Sequence, residues 1–121
     1  MRKILIIDDD SAIGDAVKTI LELEGYSVVF ITDAGQALKK AIEEKPNLIL
    51  LDLLLSGDDG RTIASSIKQN EDTKHIPIIM LSAHQGAEAS IKAHGIDDFL
   101  EKPFDIDDLL KKIQKHVPIS S

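Results

Sequence analysis

The stretch Leu48–Asp52, with the sequence LILLD, joins an unbroken apolar run to one carboxylate. The stretch Ile4–Asp9, ILIIDD, has the same form near the start of the chain. A central strand of a parallel sheet is covered on both faces, so it is apolar throughout and its first charged residue marks where the chain leaves the core. These stretches therefore predict two buried parallel strands that bring carboxylates to one edge. Ligands bind at that edge in open α/β sheets.

The composition limits what kind of protein this is. A chain of 121 residues is typical of one domain, and we expect its core to span about residues 3–117, with a short tail at 118–121. The absence of cysteine excludes disulfides and thiolate metal sites. A net charge of -7 disfavours direct binding to nucleic acid or to an anionic membrane. Because no apolar run suits a signal peptide or a membrane span, we expect a cytoplasmic protein.

Strand-like and helix-like stretches alternate along the whole chain. The five predicted strands are short apolar runs at residues 4–7, 27–31, 48–51, 78–81 and 99–100. Each precedes a helical pattern, and the five helices begin after Ser11 as N-cap, after Asp33, near 61, near 87 and after Asp105. Right-handed crossovers place such helices on both faces of a parallel sheet. The sequence therefore predicts a three-layer, doubly wound (βα)5 domain of the α/β class.

Polar residues follow four of the predicted strands, in the motifs IIDDD, LILLD with Gly60 eight residues later, IIMLSA and DDFLEKPF. Because the carboxyl ends of parallel strands meet at one edge, these residues should converge. The motifs, in this order and over nearly the whole chain, resemble the receiver domain of two-component response regulators. The resemblance implies a flavodoxin-like five-stranded sheet of order 2-1-3-4-5.

The carboxylates at this edge are candidate metal ligands. Carboxylates held together repel one another, and a hard divalent cation that takes oxygen ligands relieves the repulsion. We expect Mg²⁺, or Mn²⁺ in its place. The resemblance implies that Asp9 and Asp52 bind the ion directly, that Asp8 acts through water, and that the backbone carbonyl of Leu54 completes the protein's share. Asp10 lies one residue past the matched pair, so it is interpreted as an acid at a helix N-terminus.

Asp52 is the predicted nucleophile, because a carboxylate can attack phosphorus and form an aspartyl phosphate. The resemblance implies that Lys102 pairs with this carboxylate or with an added phosphoryl oxygen, and that the Lys102–Pro103 peptide is cis. It also identifies Ser82 and Phe99 as the switch residues. An ordinary core position remains the alternative interpretation of Phe99.

The implied function is that of a phosphoryl-accepting signalling switch. A histidine kinase or a histidine phosphotransfer protein would phosphorylate Asp52, and the surface near strands 4 and 5 would change for a downstream protein partner. The resemblance also implies that the domain promotes only its own phosphorylation and dephosphorylation, and that it is a monomer or a weak phosphorylation-dependent dimer.

Two other functions are weighed against this one. An aspartate-nucleophile phosphatase needs an acidic residue two positions after the nucleophile, where this chain has Leu54. A flavin-binding module needs a hydroxyl-rich loop after the first strand, where this chain has Asp9 and Asp10.

The four histidines show no shared metal-ligand spacing, and three of them are expected to be surface residues: His75, His94 and His116.

Overall fold

A computed structural model describes residues 2–55, 58–83 and 95–117 of the chain. A parallel sheet of five strands forms its centre, with β1 at Lys3–Ile7, β2 at Ser27–Ile31, β3 at Leu48–Asp52, β4 at Ile78–Ser82 and β5 at Asp98–Glu101. The strands are parallel and lie in the order 2-1-3-4-5, so the predicted topology is confirmed. Residues 54–55 also pair antiparallel with residues 58–59 beyond the end of β3.

Four helices are described: α1 at Ser11–Leu23, α2 at Ala37–Glu44, α3 at Gly60–Gln69 and α4 at Ile106–His116. A 3₁₀ turn at Ala34–Gln36 precedes α2. The predicted helix near residues 87–94 and the predicted tail at 118–121 lie outside the described residues. Within the described ranges, no helix is long and apolar enough to cross a membrane.

The sheet separates two apolar clusters, which makes the three predicted layers. Side chains of a strand alternate between faces, so Leu5 packs towards α2 and α3 while Ile4 packs towards α1 and α4. The helices supply the other side of each cluster through buried residues, which are Ala37, Ala41, Ala64 and Ile67 on one face and Val17, Leu21, Leu109 and Ile113 on the other. Burial on both faces explains why β1 and β3 are continuous apolar runs.

The beginning of α1 differs from the prediction. Ser11 was expected to cap the helix, but the N-cap is Asp10, whose carboxylate accepts hydrogen bonds from the backbone N–H groups of Ala12 at 3.0 Å and Ile13 at 3.2 Å. Both residue types cap well, and the negative charge of the aspartate additionally suits the positive end of the helix dipole. Ile13 precedes the buried Val17 by four residues on α1, yet it is 36% exposed.

Asp33 and Asp105, the other two predicted helix caps, stand at the beginnings of helical segments, but neither side chain caps the predicted α-helix by a hydrogen bond within the described residues. Asp33 bonds the backbone N–H of Gly35 at 2.9 Å and so caps the 3₁₀ turn rather than α2 itself. Asp105 is the N-cap residue of α4, but its side chain accepts no capping hydrogen bond within the described part of the chain. Gly25 follows α1 with φ of +100°, a left-handed conformation that favours glycine.

Asp97 joins three elements at the amino end of the sheet. Its Oδ2 accepts hydrogen bonds from the backbone N–H of Ile78 at 2.8 Å and forms an ion pair with Lys68 of α3 at 2.7 Å. Lys68 also donates to the carbonyl of Ile76 at 2.8 Å. This arrangement ties α3 to the beginnings of β4 and β5.

Asp98, the next residue, makes the corresponding connection to α4. Its carboxylate lies 3.0 Å from Lys112 Nζ and 3.1 Å from His116 Nε2. The expectation that His116 is a surface residue was therefore wrong, because its side chain is 18% exposed and contacts this carboxylate. Burial raises the pKa of Asp98, but hydrogen bonds from Lys112, His116 and the Phe99 N–H outweigh burial and lower the pKa to about 2.

Replacing Asp98 with Asn should lower the free energy of unfolding by about 2 kcal/mol near neutral pH, because the folded-state pKa is depressed. A depressed carboxyl pKa stabilises the fold above the unfolded-state value, near 4, and this contribution is lost as the pH falls towards 2. Urea unfolding near pH 7 and near pH 3 measures the difference. The exposed control Asp15→Asn should change stability little, and an Asp98→Asn effect of equal size at both pH values would contradict the assignment.

Candidate functional site

Four polar side chains meet at the carboxyl edge of the sheet. Asp8 directly follows β1, Asp52 is the last residue of β3, Ser82 is the last residue of β4, and Lys102 directly follows β5. Lys102 Nζ lies 3.2 Å from Asp52 Oδ1 and 3.4 Å from Asp8 Oδ2. The structure thus brings together side chains that are 50 and 94 residues apart in the sequence.

The three consecutive aspartates after β1 have different environments. Asp8 is 1% exposed, and its Oδ1 accepts a hydrogen bond from the Asp10 N–H at 3.0 Å. Asp9 is exposed at the same edge. The Asp10 carboxylate caps α1, which agrees with its interpretation as a helix N-terminal acid. The turn from β1 into α1 therefore leaves Asp8 and Asp9 at the site while it uses Asp10 to begin the helix.

Asp52 is held by close backbone packing. Asp52 is 8% exposed, and the next residue, Leu53, donates its N–H to the Leu81 carbonyl at 2.8 Å. The Gly60 N–H, at the start of α3, donates to the Leu53 carbonyl at 2.7 Å. A Cβ at position 60 would overlap the Asp52 carbonyl oxygen and lie 3.0 Å from Leu53 Cα. Only glycine allows α3 to begin this close to Asp52. Gly60 could be noted in the sequence, eight residues after Asp52, but its packing against Asp52 is visible only in the structure.

Burial and neighbouring charges control the ionisation of this site. Burial raises the pKa of Asp52, and the charges of Asp8 and Asp9 raise it further, while the ammonium group of Lys102 acts in the opposite direction. Burial lowers the pKa of Lys102, but the carboxylates of Asp52 and Asp8 outweigh burial and raise it. Three ionised carboxylates and one ammonium leave a formal charge of about -2, so the site is short of positive charge.

The carboxylates suit a divalent cation. One oxygen from each of Asp8, Asp9 and Asp52 lies within 4.8 Å of the other two, and this is the one such group of potential ligands in the described part of the chain. Hard cations such as Mg²⁺ prefer oxygen ligands of this kind. Leu54 begins the short strand two residues after Asp52. The participation of its backbone carbonyl remains a prediction.

The two predicted switch residues lie on neighbouring strands. Ser82 is 1% exposed, and its carbonyl accepts the Lys102 N–H at 2.7 Å, so its backbone is tied directly to the lysine. Phe99 is partly buried and packs against the cluster under α2 and α3, which is compatible with a core position as well as with a switch. The Lys102–Pro103 peptide bond is cis, as the resemblance implied. His94, which was expected at the surface, lies outside the described residues.

Replacing Lys102 with Met should raise the pKa of Asp52 further, because the variant keeps a long side chain but removes the charge that favours the ionised carboxylate. An NMR titration of the ¹³C-labelled aspartate carboxyl groups measures this change. The control Lys111→Met removes an exposed lysine and should leave the titration of Asp52 as it was. A pKa of Asp52 that falls or stays constant in Lys102→Met would contradict the role of the lysine.

The sequence is similar to that of a known transcriptional regulator. The chain is 42% identical over 118 residues to the DNA-binding dual master transcriptional regulator RpaA of Synechocystis sp., with 94% of this chain aligned. The alignment covers 48% of RpaA, so the chain spans about half the length of this curated relative.

Solved structures of similar proteins match nearly the whole chain. The Vibrio cholerae chemotaxis protein CheY4 matches with a TM-score of 0.89 and 30% identity, over 97% of this chain and 99% of that one. The Thermotoga maritima response regulator TrrA, solved in complex with Mg²⁺-BeF, matches with a TM-score of 0.87 and 29% identity, over 97% and 100% of the two chains.

The carboxyl-edge cluster, the strand order and these similarities agree with a match of residues 4–114 to the family described as the response regulator receiver domain. The family covers nearly all of the chain, including every residue of the acidic cluster and Lys102. This protein belongs to the receiver domain family of two-component response regulators.

Proposed function

We propose that Asp52 is the residue of this receiver domain that accepts the phosphoryl group. The supporting observation is a nearly buried carboxylate whose Oδ1 lies 3.2 Å from Lys102 Nζ, inside the one acidic cluster of the described residues that can hold a divalent ion. The carboxylate oxygen attacks phosphorus, an O–P bond forms, the N–P bond of a phosphohistidine breaks, and the imidazole keeps the electron pair.

The cluster would hold Mg²⁺, or Mn²⁺, through Asp8, Asp9, Asp52 and the Leu54 carbonyl. A bound ion supplies positive charge that reduces repulsion between the nucleophile and the phosphoryl oxygens. Lys102 already lies between Asp8 and Asp52, so it can transfer a hydrogen bond from the carboxylate to a phosphoryl oxygen with little movement. The lysine therefore orients the nucleophile before the reaction and stabilises the product after it.

We propose that the conformational change that follows phosphorylation involves β4 and β5. The Ser82 hydroxyl would donate to a phosphoryl oxygen on Asp52, and Phe99 would change its position beside β4. These residues lie on adjacent strands, in a register that pairs Met80 with Phe99 and Ser82 with Glu101. A movement of Ser82 is therefore transmitted through one backbone ladder to the surface around β5.

We infer a place in a two-component pathway from the family. A histidine kinase or a histidine phosphotransfer protein would supply the phosphoryl group in the cytoplasm, and a downstream protein would bind the altered surface near β4 and β5. The net charge of -7 argues against direct nucleic-acid or membrane binding by this chain. A monomer or a weak phosphorylation-dependent dimer is the expected state, with no turnover of separate substrates. The alternative, an aspartate-nucleophile phosphatase, is disfavoured because Leu54 occupies the position of its acid.

Incubation with Mg²⁺ and acetyl phosphate should add one phosphoryl group to the protein, and Asp52→Asn should abolish the addition because an amide cannot form the acyl phosphate. Intact-mass spectrometry at neutral pH measures the added mass. The exposed Asp15→Asn is the matched control and should be modified like the original protein. Equal phosphorylation of Asp52→Asn would show that another residue accepts the group.

Mg²⁺ affinity should depend on Asp9 and not on Asp10. Asp9→Asn removes a charged ligand and should weaken binding by about tenfold or more. Asp10→Ser keeps a side chain that can cap α1 and should leave the affinity nearly unchanged. A titration followed by amide NMR shifts measures both variants, and a loss confined to Asp10→Ser would place the metal one residue further along the chain.

A further inference from the structure

A short antiparallel ladder connects the residues that follow Asp52 to the start of α3. It places Leu54 opposite Asp59. Directly beside this pair, the Leu53 carbonyl accepts the Gly60 N–H at 2.7 Å. The backbone that carries the proposed carbonyl ligand of the metal ion is therefore paired with the beginning of a helix.

The ladder determines the direction of the Leu54 carbonyl. In an antiparallel ladder, residue pairs that bond to each other through their backbones alternate with pairs that do not. The bond from the Gly60 N–H to the Leu53 carbonyl belongs to a pair of the first kind, so the next pair, Leu54 and Asp59, is of the second kind. The Leu54 carbonyl therefore points away from the ladder and is available as a ligand as long as the ladder keeps its register.

Asp59 is held by Arg61, two residues later. Asp59 Oδ1 accepts the backbone N–H of Arg61 at 2.8 Å and so caps α3. The guanidinium group of Arg61 contacts the same carboxylate, with Nη2 2.7 Å from Oδ2 and Nε 3.1 Å from Oδ1. Most exposed ion pairs contribute little to stability, but a bidentate contact between arginine and a carboxylate fixes the geometry of both groups.

We propose that Arg61 is a positioning residue of the metal site: by holding Asp59, it keeps the ladder in register and the Leu54 carbonyl available, and so increases the affinity for Mg²⁺. The positive charge of Arg61 by itself opposes the binding of a cation, so the benefit comes from the planar fork of the side chain, which lysine lacks. The effect on affinity rests on the proposed metal site, whereas the effect on the ladder does not.

Amide hydrogen exchange of the metal-free protein tests the effect on the ladder. Arg61→Lys keeps the charge and Arg61→Gln removes it, and in both variants the Gly60 N–H should exchange several-fold faster. The control Lys74→Gln removes an exposed ion pair beyond the far end of α3, where Lys74 Nζ lies 2.9 Å from Glu71 Oε2, and should leave this rate as it was. An unchanged rate in Arg61→Lys overturns the proposal, because that variant has lost the fork.

A Mg²⁺ titration followed by amide NMR shifts tests the effect on affinity. The dissociation constant should rise several-fold in both Arg61 variants, and Lys74→Gln should not weaken binding. If charge alone mattered, Arg61→Gln would bind Mg²⁺ more tightly and Arg61→Lys would bind it like the original protein, and this result overturns the proposal. If the original protein binds no Mg²⁺, the proposed metal site itself fails, and the exchange of the Gly60 N–H decides whether Arg61 holds the ladder.

Discussion

The contact of Lys102 with Asp8 and Asp52 is the interaction on which the site depends. Burial and the neighbouring charge of Asp8 both raise the pKa of Asp52, whereas the positive charge of Lys102 favours the ionised carboxylate. The lysine supplies one positive charge and leaves a deficit that a divalent ion can fill. The fold supports this arrangement by ending β1, β3 and β5 at the same edge, so that residues distant in sequence meet.

Much of this organisation could be predicted from the sequence, because the relevant signals are local. Continuous apolar runs mark strands covered on both faces, and the first polar residue after each run marks the functional edge. Both β1 and β3 follow this rule, and Asp8 and Asp52 lie where it places them. The sheet order was not available from local pattern, since any (βα)5 chain could be wound in more than one order; the family resemblance provided it.

Other features depend on tertiary contacts and could not be predicted. Asp10 and Ser11 are both good helix caps, and the choice between them follows from the path of the backbone after β1. His116 has the sequence neighbourhood of a surface residue, but the end of α4 lies over Asp98. The exposure of Ile13 likewise depends on tertiary contacts, because helical periodicity identifies a face, whereas the neighbouring elements determine how far along the helix that face is covered.

The two ends of β5 are attached to different parts of the structure. This strand lies at the edge of the sheet and pairs only with β4 in the described structure. At its amino end, the adjacent Asp97 and Asp98 connect it to helices on opposite faces. At its carboxyl end, Lys102 contacts the charged site instead. Ion pairs with two helices therefore hold the amino end of β5, whereas the side chain that follows its carboxyl end is paired with the carboxylates of the site, so a change of charge at Asp52 would alter the contacts of that end first.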